Sequence, residues 1–443
     1  MLRRAVRGLI VAALVACLYV GITRQSRPDT MAGRVHVTYW EMWTGYEADV
    51  MREVVAEFNR RQDRIHVEML TMSQIDRKLL LATAGGMPPD VVGLGNDNLS
   101  VFGDRKVLLP LDDYLARAGI TRDDYIPAYW DICEYEGHMY ALPTTPASLA
   151  LHWNKALFRE AGLDPERPPR TLAELDEFAE KLTTRDEKGR LVQMGFMPTH
   201  PGWWNWAWGY YFGGQLWDGL DQITTDCPEN VRAYQWVQSY SKKYGATELQ
   251  FFQSGFGHFA SPREAFFAGQ VAMELHGVWT ANQISKYAPH MEWAAAPFPV
   301  APGDGSLADA AYVECNVLCI PVGAKNPEEA FEFIKFVSSQ EIMEVLCLGH
   351  KKHTPLARVS RGFIENHPNP YVQVFIDVAK RSRPFSNPKT TIWSEYQNEL
   401  LAAFDEIWLQ RTTPEEALSR VQVRMQHKLD RHLERMKLRE ETP

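Results

Sequence analysis

Four tryptophans fall within a run of six residues, at Trp203, Trp204, Trp206 and Trp208. A proline and a glycine stand directly before this run, so part of it is expected at the start of a helix or in a loop. Indole faces suit the apolar C–H faces of sugars, whose hydroxyls then need carboxylates and amides nearby. Burial of adjacent Trp203 and Trp204 needs packing on two faces, so we favour a binding platform over a core role, with Trp204 and Trp206 as its best candidates.

The elements that must position such a platform begin after residue 33. Residues 34–40 alternate in the manner of a β-strand, residues 50–58 have apolar side chains at helical spacing, and residues 65–69 alternate again. This β-α-β order predicts a parallel sheet with a right-handed crossover. A short buried strand is expected at 90–94, after a helix that two glycines and two prolines end.

Polar residues follow two of these strands. Glu41, Trp43 and Thr44 come after the first strand, and Asn96 and Asp97 come after the third. Ligands gather at the carboxyl ends of the strands in open α/β sheets, so we expect both groups to share one rim of the sheet. This rim is the first candidate for the polar half of a ligand site.

Further along, the chain shows a second set of strands and helices. A strand is expected near residues 149–151, a helix at 154–161, and an aromatic-rich helical segment from Trp203 to about Leu216. Strand patterns return between residues 291 and 320, and the last stretch, 393–429, is helical. A chain of 443 residues exceeds one ordinary core, so two domains are predicted.

Composition and charge exclude several classes of function. The net charge of −9, without any basic stripe, argues against a nucleic-acid surface. Signatures of zinc proteases, serine hydrolases and phosphate-binding loops are missing from the sequence, so we expect no cofactor and no metal. Residues 350–353, His-Lys-Lys-His, are interpreted as a solvated turn. Structural, hydrogen-bonded roles are expected for His200, His258, His276 and His350.

The N-terminus has the pattern of an export signal. Three arginines precede an apolar stretch from Gly8 to Ile22, which is shorter than the about 20 residues of a transmembrane helix. Within it, Leu-Val-Ala-Cys at 14–17 resembles a bacterial lipobox, in which Cys17 is lipidated and becomes the mature N-terminus. The apolar run continues past this cysteine, so a cleaved signal and an uncleaved anchor stay open. All three interpretations export the rest of the chain, with a membrane tether through the N-terminus in two of them.

Six short motifs occur in a fixed order along the chain. They are Val-Thr-Tyr-Trp at 37–40, Gly-Met-Pro-Pro-Asp-Val at 86–91, Gly-His-Met-Tyr-Ala-Leu-Pro at 137–143, Trp-Asn-Lys-Ala-Leu-Phe at 153–158, Phe-Ala-Gly-Gln-Val-Ala-Met at 267–273 and Asn-Pro-Glu-Glu-Ala at 326–330. In this order and at this spacing they resemble the extracellular solute-binding proteins of ABC importers. The resemblance is to the family-1 sugar-binding branch, which includes maltose-binding protein.

The resemblance implies an α/β, two-lobed, periplasmic-binding-protein-like (type II) fold. Each lobe is then a mixed, mainly parallel sheet flanked by helices, and hinge strands near residues 142–148 and 292–298 join the lobes. The implied segments are 1–33 for the export signal or anchor, 34–145 plus 292–335 for lobe 1, 146–291 plus 336–425 for lobe 2, and 426–443 for a charged tail.

The resemblance also implies a function. An exported monomer captures a mono- or oligosaccharide between its lobes and delivers it to the transmembrane subunits of an ABC permease, with no chemistry of its own. Asp97 looks like a hydrogen-bonding group of the first lobe, and so does the turn that follows Trp40. Trp279 looks like the stacking ring of the second lobe, and Trp393 falls where the family has another stacking aromatic.

Two departures from the family pattern bear on the ligand. The family usually has a glycine-rich turn where this chain has Tyr312 and Glu314, so these side chains either reach the ligand or reflect a differently packed backbone. Ala147 stands where maltose-binding proteins have an acidic residue, which argues against maltose. Arg358 is the arginine to consider for an anionic sugar.

Two other functions stay open on the residues alone. An exported glycan-active hydrolase would need two carboxylates about 5–10 Å apart, for which Glu41, Asp97 and Glu314 are the candidates. Binding of hydroxyls or capping of turns explains these carboxylates more simply. The same three residues beside indoles would also suit a cationic ligand, whereas a phosphate would need a cluster of arginines.

Overall fold

The computed structural model describes residues 33–301, 310–381 and 383–440. The predicted signal segment, with Cys17, lies outside the described residues. Within those ranges every helix is too short or too polar to cross a membrane.

Strands and helices alternate in the first part of the described chain and occur in runs further along. The strands are β1 (Val35–Glu41), β2 (Ile65–Thr71), β3 (Val91–Gly95), β4 (Glu134–Tyr135), β5 (His138–Met139), β6 (Leu142–Asn154), β7 (Thr184–Arg185), β8 (Leu191–Phe196), β9 (Val271–Gly277), β10 (Trp293–Ala296), β11 (Ala310–Cys319) and β12 (Arg383–Phe385). The α-helices are α1 (Gly45–Arg61), α2 (Ile75–Ala84), α3 (Leu99–Asp104), α4 (Asp112–Ala118), α5 (Pro127–Ile132), α6 (Lys155–Glu160), α7 (Leu172–Leu182), α8 (Pro228–Tyr244), α9 (Ala246–Gln253), α10 (Thr280–Tyr287), α11 (Pro327–Val337), α12 (Gln340–His350), α13 (Arg361–Glu365), α14 (Val372–Ala379), α15 (Trp393–Trp408) and α16 (Pro414–Glu440). Short 3-10 helices lie at Asn96–Asn98, Arg122–Asp124 and Asn205–Phe212.

The long strands form one continuous sheet in the order β2-β1-β3-β11-β6-β9-β8-β7. β1 pairs in parallel with β2 and β3, which confirms the predicted β-α-β unit. β8 and β9 are also parallel, whereas β11 runs antiparallel to β3 and β6, and β6 runs antiparallel to β9. The short strand β12 pairs in parallel with the start of β11. Each half of the sheet is therefore mixed.

Two hydrophobic cores lie along this sheet, and β6 contributes to both. Leu142 at the start of β6 packs in the first core, which contains β1 and α1, while Leu149 and Leu151 pack in the second core with α7 and α8. β11 divides in the same way, with Val313 in the first core and Tyr312 in the second. Two cores joined by shared strands confirm the predicted two-lobed α/β fold.

The packing differs from the predicted lobe boundaries at two elements. β10, expected to be a hinge strand, pairs with Leu151–Asn154 of β6, and its Ala294 lies in the second core. α12, assigned by sequence to the second lobe, buries Met343 and Leu346 in the first core. Apolar periodicity shows that an element has a buried face, but it does not show which core covers that face.

The predicted charged tail is largely a packed helix. α16 continues through residue 440, and both Met425 and Leu429 are buried in the second core, with Leu433 packed against it. These three side chains are spaced four residues apart and so share one helical face. The charged residues between them occupy the opposite face, which explains the tail-like composition.

Candidate functional site

The candidate site begins at the pairing of β6 with β11. Glu314 of β11 lies directly opposite Ala147 of β6. The register shifts between Cys315 and Val317, next to the pairs that involve two prolines of β6. Proline has no N–H to donate to the ladder, so an irregular register accommodates it.

A cavity of about 400 Å³ opens beside this pairing. It lies between the turn after β1, the loop before the 3-10 helix at 205–212, and the start of α10. The described lining residues are Trp43, Thr44, Gly45, Tyr46, Glu47, Ala147, Trp203, Phe259, Ala260, Trp279, Asn282, Gln283, Lys286, Tyr287, Glu314, Asn316 and Lys352.

One wall of the cavity is made of aromatic rings. The rings of Trp203 and Trp279 are stacked, with centroids 6.1 Å apart and an interplanar angle of 28°. Phe259 packs edge-on against Trp203 at 5.3 Å. Trp279 lies so close to the backbone of Gly277 that a Cβ at that position would meet its ring at 2.2 Å. The glycine therefore lets the indole lie flat along the end of β9.

The predicted helical segment from Trp203 to about Leu216 is shorter in the structure. The structure has a 3-10 helix at Asn205–Phe212, and Trp203 and Trp204 precede it. Trp203 is 40% exposed because it lies in this loop, whereas Trp204 is buried behind it against Trp279 and Tyr312. The exposed indole of the pair is thus the one that sequence reasoning ranked lower.

The opposite wall is the turn that follows β1. Buried Glu41 accepts the backbone N–H of Trp43 at 3.0 Å and the hydroxyl of Tyr39. Burial raises the pKa of Glu41 to about 7, although both hydrogen bonds oppose this shift. Glu41 is not among the lining residues, so its place in the structure is to orient the Trp43 turn rather than to face the cavity.

Lys352 lies between the two walls. Its Nζ is 5.3 Å from the ring centroid of Trp43 and 5.7 Å from that of Trp279, within the range of cation–π contacts. The same ammonium is 3.2 Å from Oε1 of Glu47, and the residue is 3% exposed. Burial is the largest influence on the pKa of Glu47 and would raise it, but the charges of Lys352 and His350, together with hydrogen bonds from Lys352 and Tyr46, lower that pKa overall.

The interpretation of residues 350–353 as a solvated turn is wrong. His350, Lys352 and His353 are all buried. His350 packs edge-on against Trp43 at 4.7 Å and bonds the backbone carbonyl of Glu47 at 3.0 Å. A polar sequence can be buried when each polar group has a partner, and the partners here lie some 300 residues away.

Two carboxyl groups lie near this cavity, Glu314 in the middle of β11 and Asp97 just after the end of β3. Glu314 lines it and accepts the hydroxyl of Tyr312 at 2.8 Å. Burial, followed by the charge of Asp97, raises the pKa of Glu314 to about 7. Burial and then the charge of Asp76 raise the pKa of Asp97 to about 6. Asp97 is near Glu314 but is not among the lining residues.

The structure brings together only part of the predicted site. Trp43, Thr44, Trp279 and Glu314 line one cavity, and their roles in ligand binding stay predictions. Trp206 and Trp393 do not reach it: they pack edge-to-face at 4.8 Å and are 1% and 0% exposed, so both are core residues. Tyr312 is likewise 1% exposed.

Two polar residues predicted in the site lie elsewhere. Asn96 is buried, where its side chain donates to Asn387 at 2.8 Å and accepts the backbone N–H of Cys315 at 3.0 Å. It therefore fixes the end of β3 against β11. Arg358 is on the surface with its side chain 83% exposed, 3.9 Å from Asp124.

Several lining residues were missed by sequence reasoning. Asn282, Gln283 and Lys286 follow Trp279 on α10 at spacings of three, four and seven residues. That spacing places them on the same helical face as the indole, which is a signal the sequence does contain. Phe259 and Lys352 gave no local signal, because loop packing and distant partners determine their positions.

The comparison of this chain with known families decides its membership. The family described as bacterial extracellular solute-binding protein matches residues 44–344. The chain belongs to this family. The resemblance carried by the six motifs is thereby confirmed.

Curated relatives of this family member bind different solutes. The maltotriose-binding protein of Pyrococcus abyssi is 21% identical over 323 residues, covering 72% of this chain and 66% of that protein. The sn-glycerol-3-phosphate-binding periplasmic protein of Pectobacterium atrosepticum is 23% identical over 298 residues, covering 62% of each. The chain thus spans just under two thirds of the length of these relatives.

The fold of this chain matches those of solved structures over nearly the whole length of the latter. CpMnBP1 with mannotriose bound is 30% identical, with a TM-score of 0.78, and the match covers 88% of this chain and 99% of that one. The sugar-binding protein MalE from Xanthomonas citri is 21% identical, with a TM-score of 0.74, covering 91% and 99%. The second likeness concerns the fold alone.

Replacing Glu41 with glutamine should change how stability depends on pH. Burial raises the pKa of Glu41 from 4.5 to about 7 in the fold. The contribution of its protonated carboxyl group to stability is therefore fully present below pH 4.5 and is lost as the pH rises through 7. Glutamine does not titrate, so the free energy of unfolding of Glu41→Gln, relative to that of the unmodified protein, should increase by up to about 3 kcal/mol between about pH 5 and pH 8. Chemical denaturation at both pH values measures this gain. Glu332→Gln, exposed on α11, is the control, and an equal difference at both pH values contradicts the assignment.

Replacing Lys352 with methionine should destabilise the fold by about 3 kcal/mol, because it leaves the carboxylate of Glu47 without its cation. The double variant Lys352→Met/Glu47→Gln should recover most of this loss. Urea denaturation of the two variants gives the comparison, with Lys335→Met, exposed on α11, as the matched lysine control. A double variant as unstable as Lys352→Met would show that the unpaired carboxylate of Glu47 is not the cause of the destabilisation.

Proposed function

We propose that this protein captures a short oligosaccharide between its two lobes and presents it to the transmembrane subunits of an ABC permease. The observation that supports this most is the cavity, in which the stacked rings of Trp203 and Trp279 come from one lobe and Trp43 from the other. A volume of about 400 Å³ falls in the range of about 300–1,000 Å³ found for small-molecule sites.

The aromatic wall would supply most of the binding free energy. Apolar area removed from water contributes about 25 cal/mol per Å², so a sugar face covering about 100 Å² of indole gains about 2.5 kcal/mol. Asn282 and Gln283 on α10 and Glu314 on β11 offer acceptors and donors for the hydroxyls around that face. Binding that needs both walls at once offsets the cost of bringing the lobes together.

The ligand class we infer is a manno-oligosaccharide of two or three units. CpMnBP1, the 30% identical relative, is known with mannobiose and with mannotriose bound. Ala147 leaves β6 without the acidic residue of maltose-binding proteins, and Glu314, directly opposite, offers a carboxyl group from β11 instead. A carboxyl group on β11 instead of β6 would favour a sugar whose hydroxyls are arranged differently from those of maltose.

Phosphorylated and cationic ligands fit the lining less well. The described lining residues include no arginine, and Lys352 is already paired with Glu47. A cationic ligand would meet this ammonium between the two indoles. A neutral sugar avoids both conflicts.

Binding without turnover follows from the carboxyl groups. Glu41 holds the Trp43 turn from beneath, and Asp97 is not among the lining residues. Glu47 is paired with Lys352, so among the described lining residues Glu314 has no second unpaired carboxyl of the kind a hydrolase needs. We therefore expect binding without catalytic activity. From the sequence alone we also propose a monomer without a cofactor.

We also infer an extracytoplasmic location with an N-terminal tether. The family is described as extracellular, and residues 1–33 have the charge and apolar pattern of an export signal with Cys17 as a lipid site. For the lobes, the two cores support a division at the start of β6 and within β11, with α12 in the first lobe.

Replacing Trp279 with alanine should weaken the binding of mannotriose at least tenfold, because half of the stacked pair is lost. A tenfold loss corresponds to about 1.4 kcal/mol. Isothermal titration calorimetry with mannobiose, mannotriose, maltotriose and glycerol 3-phosphate measures both the affinity and the ligand class. Trp217→Ala is the matched control, since Trp217 is partly exposed but does not line the cavity.

Two outcomes of this titration, and one of incubating the protein with mannotriose and assaying reducing ends, would contradict the proposal. Equal affinity of Trp279→Ala and the unmodified protein removes the indole from the site. Tight binding of glycerol 3-phosphate with none of the sugars assigns a different ligand class. Steady release of new reducing ends from mannotriose identifies a hydrolase.

A further inference from the structure

A second cluster of polar side chains lies outside the sugar cavity. Nε2 of His200 is 2.7 Å from Oε1 of Glu264 and 3.2 Å from Oε2 of Glu274. One ligand atom from each residue lies within 4.8 Å of the other two. Histidine nitrogen with carboxylate oxygen is a donor set that first-row divalent ions bind.

Apart from their contacts with one another, the atoms of this cluster lack hydrogen-bond partners among the described residues. Glu274 is 1% exposed, and neither of its carboxylate oxygens makes a hydrogen bond to a described residue outside the cluster. The same holds for Oε1 of Glu264 and Nε2 of His200. The other oxygen of Glu264 accepts the backbone N–H groups of Phe266 and Phe267, which orients Oε1 towards the cluster.

We propose that His200, Glu264 and Glu274 bind a single divalent transition-metal ion, with zinc as the preferred ion. Zinc takes imidazole and carboxylate ligands in a tetrahedron, whose ligand atoms lie about 3.3 Å apart, so the distances of 2.7 and 3.2 Å need only small adjustments. Three protein ligands leave the fourth position to solvent. Calcium is disfavoured because it takes six to eight oxygen ligands.

The position of the cluster gives the ion a structural task. His200 stands three residues before Trp203, and Glu264 follows the loop that brings Phe259 against Trp203. Glu274 is two residues before His276 on β9, and the ring of His276 contacts those of Trp203 and Trp279 at 5.3 and 5.5 Å. A bound ion therefore ties two loops to β9 directly behind the aromatic wall.

The test uses the mature chain without an affinity tag, stripped with a chelator and then titrated with zinc chloride in the absence of sugar. We expect one zinc per chain after gel filtration and a higher melting temperature with zinc than without it. Glu274→Gln and His200→Gln should each lose at least tenfold in zinc affinity. His290→Gln, which removes an exposed histidine outside the cluster, should bind zinc like the unmodified chain. Cobalt(II) in place of zinc should give the visible absorption of a tetrahedral site, and Glu274→Gln should abolish it.

Glu274→Gln keeps the shape of the side chain and removes a buried charge, so it remains informative if His200→Gln does not fold. Failure of the unmodified chain to bind zinc, or equal zinc affinity in Glu274→Gln, overturns the metal site. The effect of the ion on mannotriose affinity rests on the proposed function and is measured separately. A protein that binds zinc but no sugar would therefore retain the metal site and contradict only the proposed function.

Discussion

The pairing of β6 with β11 is the constraint on which the rest of the structure depends. Each strand contributes side chains to both cores, so the backbone ladder between them is shared by the two lobes. Glu314 and Ala147 face each other in this ladder at the edge of the cavity. The position of each wall of the cavity depends on where its lobe departs from these two strands, which is why the cavity forms beside their pairing.

The electrostatics of the cavity suit a ligand with many hydroxyls. Burial raises the pKa of Glu314 to about 7, so near neutral pH its carboxyl group both donates and accepts hydrogen bonds. Lys352 places an ammonium between two indole faces, and Glu47 balances its charge. The cavity thus combines apolar rings with polar groups that are already oriented by one another.

Local patterns in the sequence predict the strands and helices better than they predict the core against which each of them packs. Alternation and helical spacing place β1, α1 and β2 and indicate their parallel order, because these properties depend on residues close in the chain. The lobe boundaries that the family resemblance implies place α12 in the second lobe, although its apolar face packs in the first core. The core that covers an apolar face depends on contacts far along the chain, which a local pattern does not contain.

The candidate site shows the same division at the level of single residues. The place of Trp279 beside the cavity is predictable, because it follows the motif at 267–273 and falls where the family has a stacking ring. Trp206 and Trp203 are the same residue type in one run, yet Trp206 packs on Trp393, nearly 190 residues away, while Trp203 is 40% exposed. The local sequence around Lys352 indicates a solvated residue, because its partners, Glu47 and two indoles, are distant in sequence.

Hydrogen–deuterium exchange with and without mannotriose tests the central claim most directly. Peptides covering residues 43–47 of the first lobe and α10 of the second should both exchange more slowly with the sugar, while α8, away from the cavity, should be unchanged. Simultaneous protection of both walls is what a sugar held between two lobes predicts. Protection confined to one lobe, or none at saturating mannotriose, would contradict the account.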